Sequence, residues 1–463
     1  MAIIENRTYD ELAIGDTATS RHVLSEHDIA LFAAMSGDVN PAHMDSDFAR
    51  DTVFQDVIGH GMWAGALISA VLGTRLPGPG TIYLSQTLQF KQAVKLGDAL
   101  DVTVTVKDKR ERNRVLFSCA CTNQTGACVV EGEALVLAPD QKVSREASER
   151  PQAVIYERGE RLQALIERAK DLPQLKVAVI HPVEENSLGG ALAARDAGLI
   201  EPVLVGPRAR IEAAAEDISA NLDGVEIVDT AHSHAAADKG VELAAQGKVQ
   251  AVMKGALHTD ELMSACLSRE HGLRTDRRVS HVYVMDTPSY EKLLLISDAA
   301  INIEPDLQAK RDITQNAIDL AQALGVETPK VAILSAVETV YPKMRSTLDA
   351  AALCKMADRK QITGAIVDGP LAFDNAISKD AAEDKGIVSP VAGEPDILIV
   401  PYLEAGNMLA KQLDYLAGAV AAGLVLGARV PIILTSRAEG IAPRMASCAV
   451  ASFFAHQGLV QHD

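Results

Sequence analysis

The chain has 463 residues, 48% of them hydrophobic, and a formal charge of −18. That length exceeds one ordinary domain, so two or three are expected. The acidic balance excludes a non-specific nucleic-acid binder, which needs a basic stripe, and obliges any anionic substrate to be met by local Arg and Lys. Within residues 1–140 acidic side chains already outnumber basic ones, 18 against 11. The excess is therefore spread along the chain and reads as solubility. The start, MAIIENRTYDEL, has neither the basic region nor the apolar run of a signal peptide, which points to a cytoplasmic location.

Residues before Ser36 read as a preamble in which 28–35 (DIALFAAM) is apolar at helical spacing. Next comes SGDVNPAHMDSDFA, residues 36–49, where Gly37, Asn40 and Pro41 discourage regular helix or strand. A turn there aims Asp38 and His43 into one space. A carboxylate and an imidazole so placed can hold one water for acid–base chemistry worth about 10²- to 10⁴-fold. Gly59-His60-Gly61-Met62 then opens a run of small and apolar residues, 61–73, long enough for a buried helix. Its first-turn amides at Gly61 and Met62 lack intrahelical acceptors and can stabilise a developing oxyanion, worth roughly 10²- to 10³-fold per donor. Beyond it, residues 81–90, 99–106, 114–120 and 128–137 alternate apolar and polar side chains, with GD and NQTG turns between them. An antiparallel sheet is predicted.

GDVNPAHMDSDFA, VIGHGM and LPGPGTIYLSQTLQFKQAVKLGD, in that order and spacing, resemble the MaoC-like hotdog proteins, the (R)-specific enoyl-CoA hydratases, over about residues 20–139. The resemblance implies an α+β hotdog domain, a curved antiparallel sheet around one central helix, acting as a dimer. Matched residue by residue, Asp38 and His43 are the catalytic pair and Gly61 supplies the oxyanion amide. The implied reaction is reversible syn addition of water to a trans-2-enoyl-CoA, giving an (R)-3-hydroxyacyl-CoA. His60 reads as a capping or packing residue, and Met62 and Trp63 as lining of the core or of an acyl pocket.

From 140 to 152, DQKVSREASERPQ, hydrophobicity drops and charge rises, as in an exposed connection. The expected organisation is therefore a domain over 1–140, a linker over 141–152 and a second domain over 153–463. Within the second, short apolar β-rich runs at 175–180, 202–205, 224–228, 249–253, 282–285, 330–334, 365–367, 397–400 and 430–434 alternate with Ala-rich helical stretches such as 312–324 and 408–426. That rhythm predicts an α/β domain of two parallel-sheet subdomains, with ligands beyond the carboxyl ends of strands. The helix-like runs 61–73 and 416–428 are 13 residues each with three glycines apiece, short of the roughly 20 apolar residues of a membrane span. No membrane partner is expected. Six cysteines without CxxC spacing read as reduced core thiols.

Several strand ends carry suggestive residues: Lys254-Gly255-Ala256 with His258 and Thr259, GLRT at 272–275, Ser297-Asp298, VDGPL at 367–371, PYLEAGN at 401–407 and LTSR at 434–437. Lys254, His258 and Asp298 suit strand-end structure as well as a site. Residues 176–455 resemble the phosphate acetyltransferases and, in GLRTDRRVSHVYV and TSRAEG, the phosphate butyryltransferases. DGPLAFDNAI and PYLEAGNMLAK are the most specific matches. The resemblance implies acyl transfer between CoA and inorganic phosphate in a cleft between two α/β subdomains. CoA esters and phosphate would be substrates, with no bound cofactor, no metal and no covalent intermediate. Arg437 and Arg274 match arginines of that family's site, where a planar guanidinium suits phosphate oxygens. Ser436 matches the serine beside the CoA sulfur, and amides around Gly369 and Gly406, with Asn407, would lie against phosphate. One position departs: the acetyltransferases carry an aspartate six residues after the site arginine, and Pro443 stands here, leaving Glu439 as a substitute base. The expectation is a bifunctional acyl-CoA enzyme, homo-oligomeric because both families form dimers. Its rivals are an active hydratase carrying an inactive acyl-CoA-sensing or oligomerising domain, and a working transferase whose hotdog domain merely binds acyl-CoA.

Overall fold

A computed structural model of the chain describes residues 3–146, 153, 158–269, 272–435 and 440–457. They belong to two compact units, residues 1–155 and 156–463.

In the first unit, β1 (Ile3–Glu5) is followed by β2 (Thr17–Val23), β3 (Ile82–Phe90), β4 (Ala99–Arg110), β5 (Arg114–Asn123), β6 (Cys128–Leu137) and β7 (Ser144–Glu146). β2 to β6 make one antiparallel sheet in the order β2-β4-β5-β6-β3. Period-two patterning sorts its faces: Leu100, Val102, Val104 and Val106 of β4 are buried. Thr103 and Thr105, on the other face, hydrogen-bond across to Thr19 and Thr17 at 2.9 and 3.2 Å. The helix Gly61–Thr74 buries Trp63, Ala64, Ile68, Val71 and Leu72 in the same core as those valines. Burying a side chain of Ile size is worth about 1.5–3 kcal/mol, and Ile68 is 0% exposed. β2 was not expected, because this edge strand buries only Ser20 and shows no apolar alternation. The start of the expected linker is also built in: β7 pairs with β1, and Asn6 donates to Gln141 O and accepts from Val143 N.

The second unit comprises β8 (Leu175–Ile180), β9 (Ile200–Gly206), β10 (Glu226–Asp229), β11 (Ala251–Lys254), β12 (Ser280–Asp286), β13 (Leu294–Ser297), β14 (Lys330–Leu334), β15 (Ile366–Leu371), β16 (Ile397–Ile399), β17 (Val420–Leu426) and β18 (Ile432–Ile433). They form one eleven-stranded sheet, β10-β9-β8-β11-β18-β17-β12-β13-β16-β14-β15. This corrects the expectation of two separate parallel sheets. The two parallel blocks exist, β10 to β18 on one side and β13 to β15 on the other. The antiparallel pairings β18–β17, β17–β12 and β12–β13 weld them into one mixed sheet. Three reversals between the blocks leave their strands pointing in opposite directions.

β17 is the second correction. The helix expected over 408–426 is Leu403–Ala417, and it stops at Gly418, whose φ of 68° is left-handed and suits glycine. VAAGLVL then enters the sheet centre, where Gly423 to Leu426 are buried on both faces. Such a strand has no period of two to read, and its small residues mimic a buried helix. Among the described residues, no helix is long and apolar enough to cross a membrane.

Candidate active sites

In the first unit the segment after Gly37 is not a plain turn. Asn40 caps Ala42 N at 3.1 Å, and Pro41 takes the first position of a short helix, Pro41–Met44, where a missing N–H costs nothing. Asp45 caps the next, Ser46–Arg50. The residues that read as turn formers are thus helix starters, and they put His43 in the last turn of its helix. His43 Nδ1 lies 2.8 Å from Ile58 O. A carbonyl can only accept, so Nδ1 carries the proton, and the neutral ring keeps Nε2 as a base. Asp38 is exposed, and its Oδ1 accepts from Asn40 N at 3.3 Å.

His60 completes the group. It is 4% exposed, its ring lies 4.1 Å from that of His43 and 4.9 Å from that of Phe32, and its Nε2 donates to Asp38 O at 2.9 Å. It does not cap the helix that follows. Its role is to hold the Asp38 backbone and the His43 ring in register. The sequence marked His60 by its motif but gave no sign of that bond. Each of Asp38, His43 and His60 places a possible ligand atom within 4.8 Å of the others, a spacing that suits a shared water or a cation. His60 Nε2 is already engaged with Asp38 O, and the two imidazole rings are tilted by 37° to each other. Gly61 is the first helical residue, so its amide has no intrahelical acceptor. A Cβ there would stand 3.1 Å from the Phe90 ring, so glycine lets the helix end lie close to β3. Trp63 is in the core, whereas Met62 is 56% exposed.

In the second unit, Ser436 and Arg437, like Glu439, lie outside the described residues. Arg274 is described: exposed, without a side-chain partner among the described residues, it lines a cavity of about 1040 Å³ together with Thr259, Met263, Ile301 and Glu304. The neighbouring cations are spoken for. Arg277 pairs with Asp319, and Arg278 Nε donates to Asn302 Oδ1 at 2.7 Å. The far wall is a loop held by Asp298, which is 2% exposed and accepts from the amides of Ala300, Ile301 and Asn302, each at 3.0 Å. Asp298 is therefore a structural strand-end residue. Asn407 Nδ2 donates to Ala299 O of the same loop at 3.1 Å.

The two glycines serve packing. The Gly369 amide donates to Asp368 Oδ1 at 2.9 Å, and a Cβ there would meet Ile333 at 2.7 Å. The Gly406 amide donates to Tyr402 O at 3.3 Å, and a Cβ there would sit 2.7 Å from Asp298 O. Neither amide is open to phosphate. Pro443 occupies the third position of the helix Ile441–His456, within the first turn, where its missing donor is tolerated. Among the described residues of the second unit, two imidazoles are buried, His181 after β8 and His281 in β12. Burial pushes both below the usual histidine range, with Arg210 adding to the effect at His181. Burial raises the thiols, Cys119 to about 11 and Cys121, Cys266, Cys354 and Cys448 to about 12. None of these five is a thiolate nucleophile near neutral pH.

The profile of the phosphate acetyl/butaryl transferase family matches residues 233–451, and that of the MaoC like domain matches residues 13–123. The phosphate acetyltransferase of Rhizobium meliloti is 61% identical over 277 residues, which span 60% of this chain and 88% of that protein. A branched-chain phosphotransacylase from Enterococcus faecalis V583 superposes with a TM-score of 0.54 at 31% identity, covering 61% of this chain and 99% of its own. An R-hydratase of Pseudomonas aeruginosa is 48% identical, covering 33% of this chain and 99% of its own, with a TM-score of 0.33. The chain belongs to the phosphate acetyl/butyryltransferase family and carries a MaoC-like domain ahead of it.

Proposed function

We propose that the chain is a bifunctional acyl-CoA enzyme, with an enoyl-CoA hydratase site in its first unit and a CoA:phosphate acyltransferase site in its second. The observation that carries the hydratase half is His43, with Nδ1 tied to Ile58 O and Nε2 left as a base near Asp38. In the addition direction His43 Nε2 takes a proton from a water held with Asp38, the hydroxyl adds to C3 of the enoyl thioester, and the proton taken from that water is passed on by the His43–Asp38 pair to C2, so that one water is added overall. The Gly61 amide holds the thioester oxygen while negative charge develops there. The product is an (R)-3-hydroxyacyl-CoA. Family membership supports the transferase half, in which the thiolate of CoA and phosphate exchange an acyl group. Arg274 supplies charge to phosphate, and Ser436 and Arg437 are the residues assigned to sulfur and phosphate. Both halves use free CoA esters, and the enzyme is a cytoplasmic homo-oligomer.

The second reading, a transferase-like unit that only senses acyl-CoA, rests on Pro443 at the family's aspartate position. Phosphate-dependent loss of the thioester of acetyl-CoA and butyryl-CoA, compared in wild type and Arg437→Ala, separates the two. Turnover that disappears in the variant supports two active sites. No turnover with either ester, in protein that hydrates crotonyl-CoA, sinks the transferase half. Undiminished transfer by Glu439→Gln would remove Glu439 as the base.

A further inference from the structure

The residues assigned to water in the first unit are also a set of metal ligands. His43 Nδ1 donates to Ile58 O at 2.8 Å, and His60 Nε2 donates to Asp38 O at 2.9 Å. Each neutral imidazole therefore spends its one N–H on a backbone carbonyl and keeps a lone pair on its other nitrogen. Metal-bound histidines are held in this way, the far ring nitrogen donating to a carbonyl or carboxylate that fixes the ligating tautomer. His60 is 4% exposed, and its Nδ1 has no hydrogen-bond partner among the described residues. A buried acceptor left so is costly unless something occupies it. No step proposed for hydration uses that nitrogen.

Asp38 supplies the third donor. It is exposed, its Oδ1 accepts from Asn40 N at 3.3 Å, and no cation pairs with it among the described residues. Possible ligand atoms of Asp38, His43 and His60 all lie within 4.8 Å of one another. Donors at about 2.0–2.1 Å from one tetrahedral Zn²⁺ stand roughly 3.3 Å apart, so closing the set takes a movement of about 1 Å. Rotation of the exposed Asp38 side chain accommodates most of it. The two rings, with centroids 4.1 Å apart, are 37° from parallel, so their planes intersect, as those of two imidazoles on one ion must. Charge favours a cation as well. Residues 36–56 carry five aspartates against one arginine, and that arginine, Arg50, is paired with Asp47 at 3.3 Å. Two imidazoles and one carboxylate suit Zn²⁺ and its late first-row neighbours, whereas Mg²⁺ and Ca²⁺ call for oxygen ligands.

We propose that Asp38, His43 and His60 bind one Zn²⁺ and that the bound ion shuts the hydratase site. The ion is an inhibitor and not a cofactor. It takes the His43 Nε2 lone pair that otherwise accepts the proton of water, and it draws the Asp38 carboxylate away from that water. No covalent bond of the substrate is made or broken. The ion site stands on the geometry alone, and the inhibition rests on the reading of this unit as a hydratase.

The test titrates Zn²⁺ into the EDTA-treated full chain, followed by calorimetry and by hydration of crotonyl-CoA. One such site per chain is expected, hydration falls in step with its occupancy, excess EDTA restores it, and Mg²⁺ at the same concentration leaves it unchanged. Co²⁺ in place of Zn²⁺ should give visible bands without the charge-transfer absorption of a thiolate ligand, which separates this site from the cysteines. Asp38→Asn, His43→Gln and His60→Phe should each raise the Kd at least about 10- to 100-fold, the range for losing even an outer partner of a ligand. Asp38 is exposed, so Asp38→Asn keeps the test valid where a histidine variant fails to fold. No stoichiometric Zn²⁺ binding by wild type overturns the proposal, as does binding that survives these substitutions, or full hydration by the Zn²⁺-loaded chain. If the chain hydrates no enoyl ester, the hydratase reading fails, and calorimetry with the same variants still decides the ion site.

Discussion

The two candidate sites are built on different scales. In the first unit a carboxylate and two imidazoles, those of Asp38, His43 and His60, place ligand atoms within 4.8 Å of one another, and the helix that opens at Gly61 starts directly after His60. In the second, a cleft of about 1040 Å³ draws its walls from residues 259–312 and continues into another cavity of comparable size. The contrast follows from the chemistry proposed for each. Adding water requires one small molecule held between an acid and a base. Exchanging an acyl group between thiol and phosphate requires a long anionic ester and a second anion to be brought together, so recognition is distributed over many strand ends.

The sharpest way to break this comparison is Asp38→Asn. Hydration of crotonyl-CoA should fall about 10²- to 10⁴-fold while phosphate-dependent transfer holds. Loss of both activities would mean that the sites are not separate. Arg274→Ala should do the converse, raising KM for phosphate roughly 10- to 100-fold, the range for hydrogen bonds to a charged group, with hydration unchanged; equal KM in variant and wild type would remove Arg274 from the phosphate site. Ile68→Ala opens a cavity beneath the hydratase helix and should cost about 2–5 kcal/mol, seen as an earlier unfolding transition of the first unit by calorimetry. A smaller effect is expected from His60→Phe, which keeps a ring but loses the bond to Asp38 O. Hydration kcat should drop about 2- to 12-fold with KM held, and a change confined to KM would argue against positioning.

The smallest effect is on acid stability. His181 and His281 are held neutral by burial, below their ordinary value of 6.5. The unfolded chain therefore takes up their protons first as pH falls. Their contribution is complete above about 6.5 and is lost below it, at up to about 1.4 kcal/mol per pH unit for each histidine. Denaturant titrations of the second unit between pH 7 and 5 should show this slope, and His281→Gln should flatten it.

How much of this was legible in the sequence differed with the scale of each site. The Asp38 and His43 pair could be read because both lie in one short segment. The bond from His60 to the Asp38 backbone could not, because nothing in a sequence announces which carbonyl an imidazole will meet. The strands of the first unit showed their alternation wherever one face is buried and the other wet, and β2 went unread because it buries a single serine. In the second unit β8 and β14 were read at their observed limits, since each is a short β-branched run between turn signals. β17 was mistaken for helix because a strand buried on both faces loses its period. The cavity of about 900 Å³ lined by Tyr402 was beyond reading altogether, since its walls come from segments more than a hundred residues apart, from Glu304 to Gln412.

The order β11-β18-β17-β12 sets a schedule for biosynthesis. Residues 420–433 are synthesised after the other nine strands of this sheet, yet they fill its middle. Until they arrive, β11 and β12 each present an unpaired edge able to recruit strands from other chains. A nascent or truncated chain ending near residue 418 therefore has both parallel blocks and no means of joining them, and it should be a target for chaperones and proteases rather than a smaller enzyme.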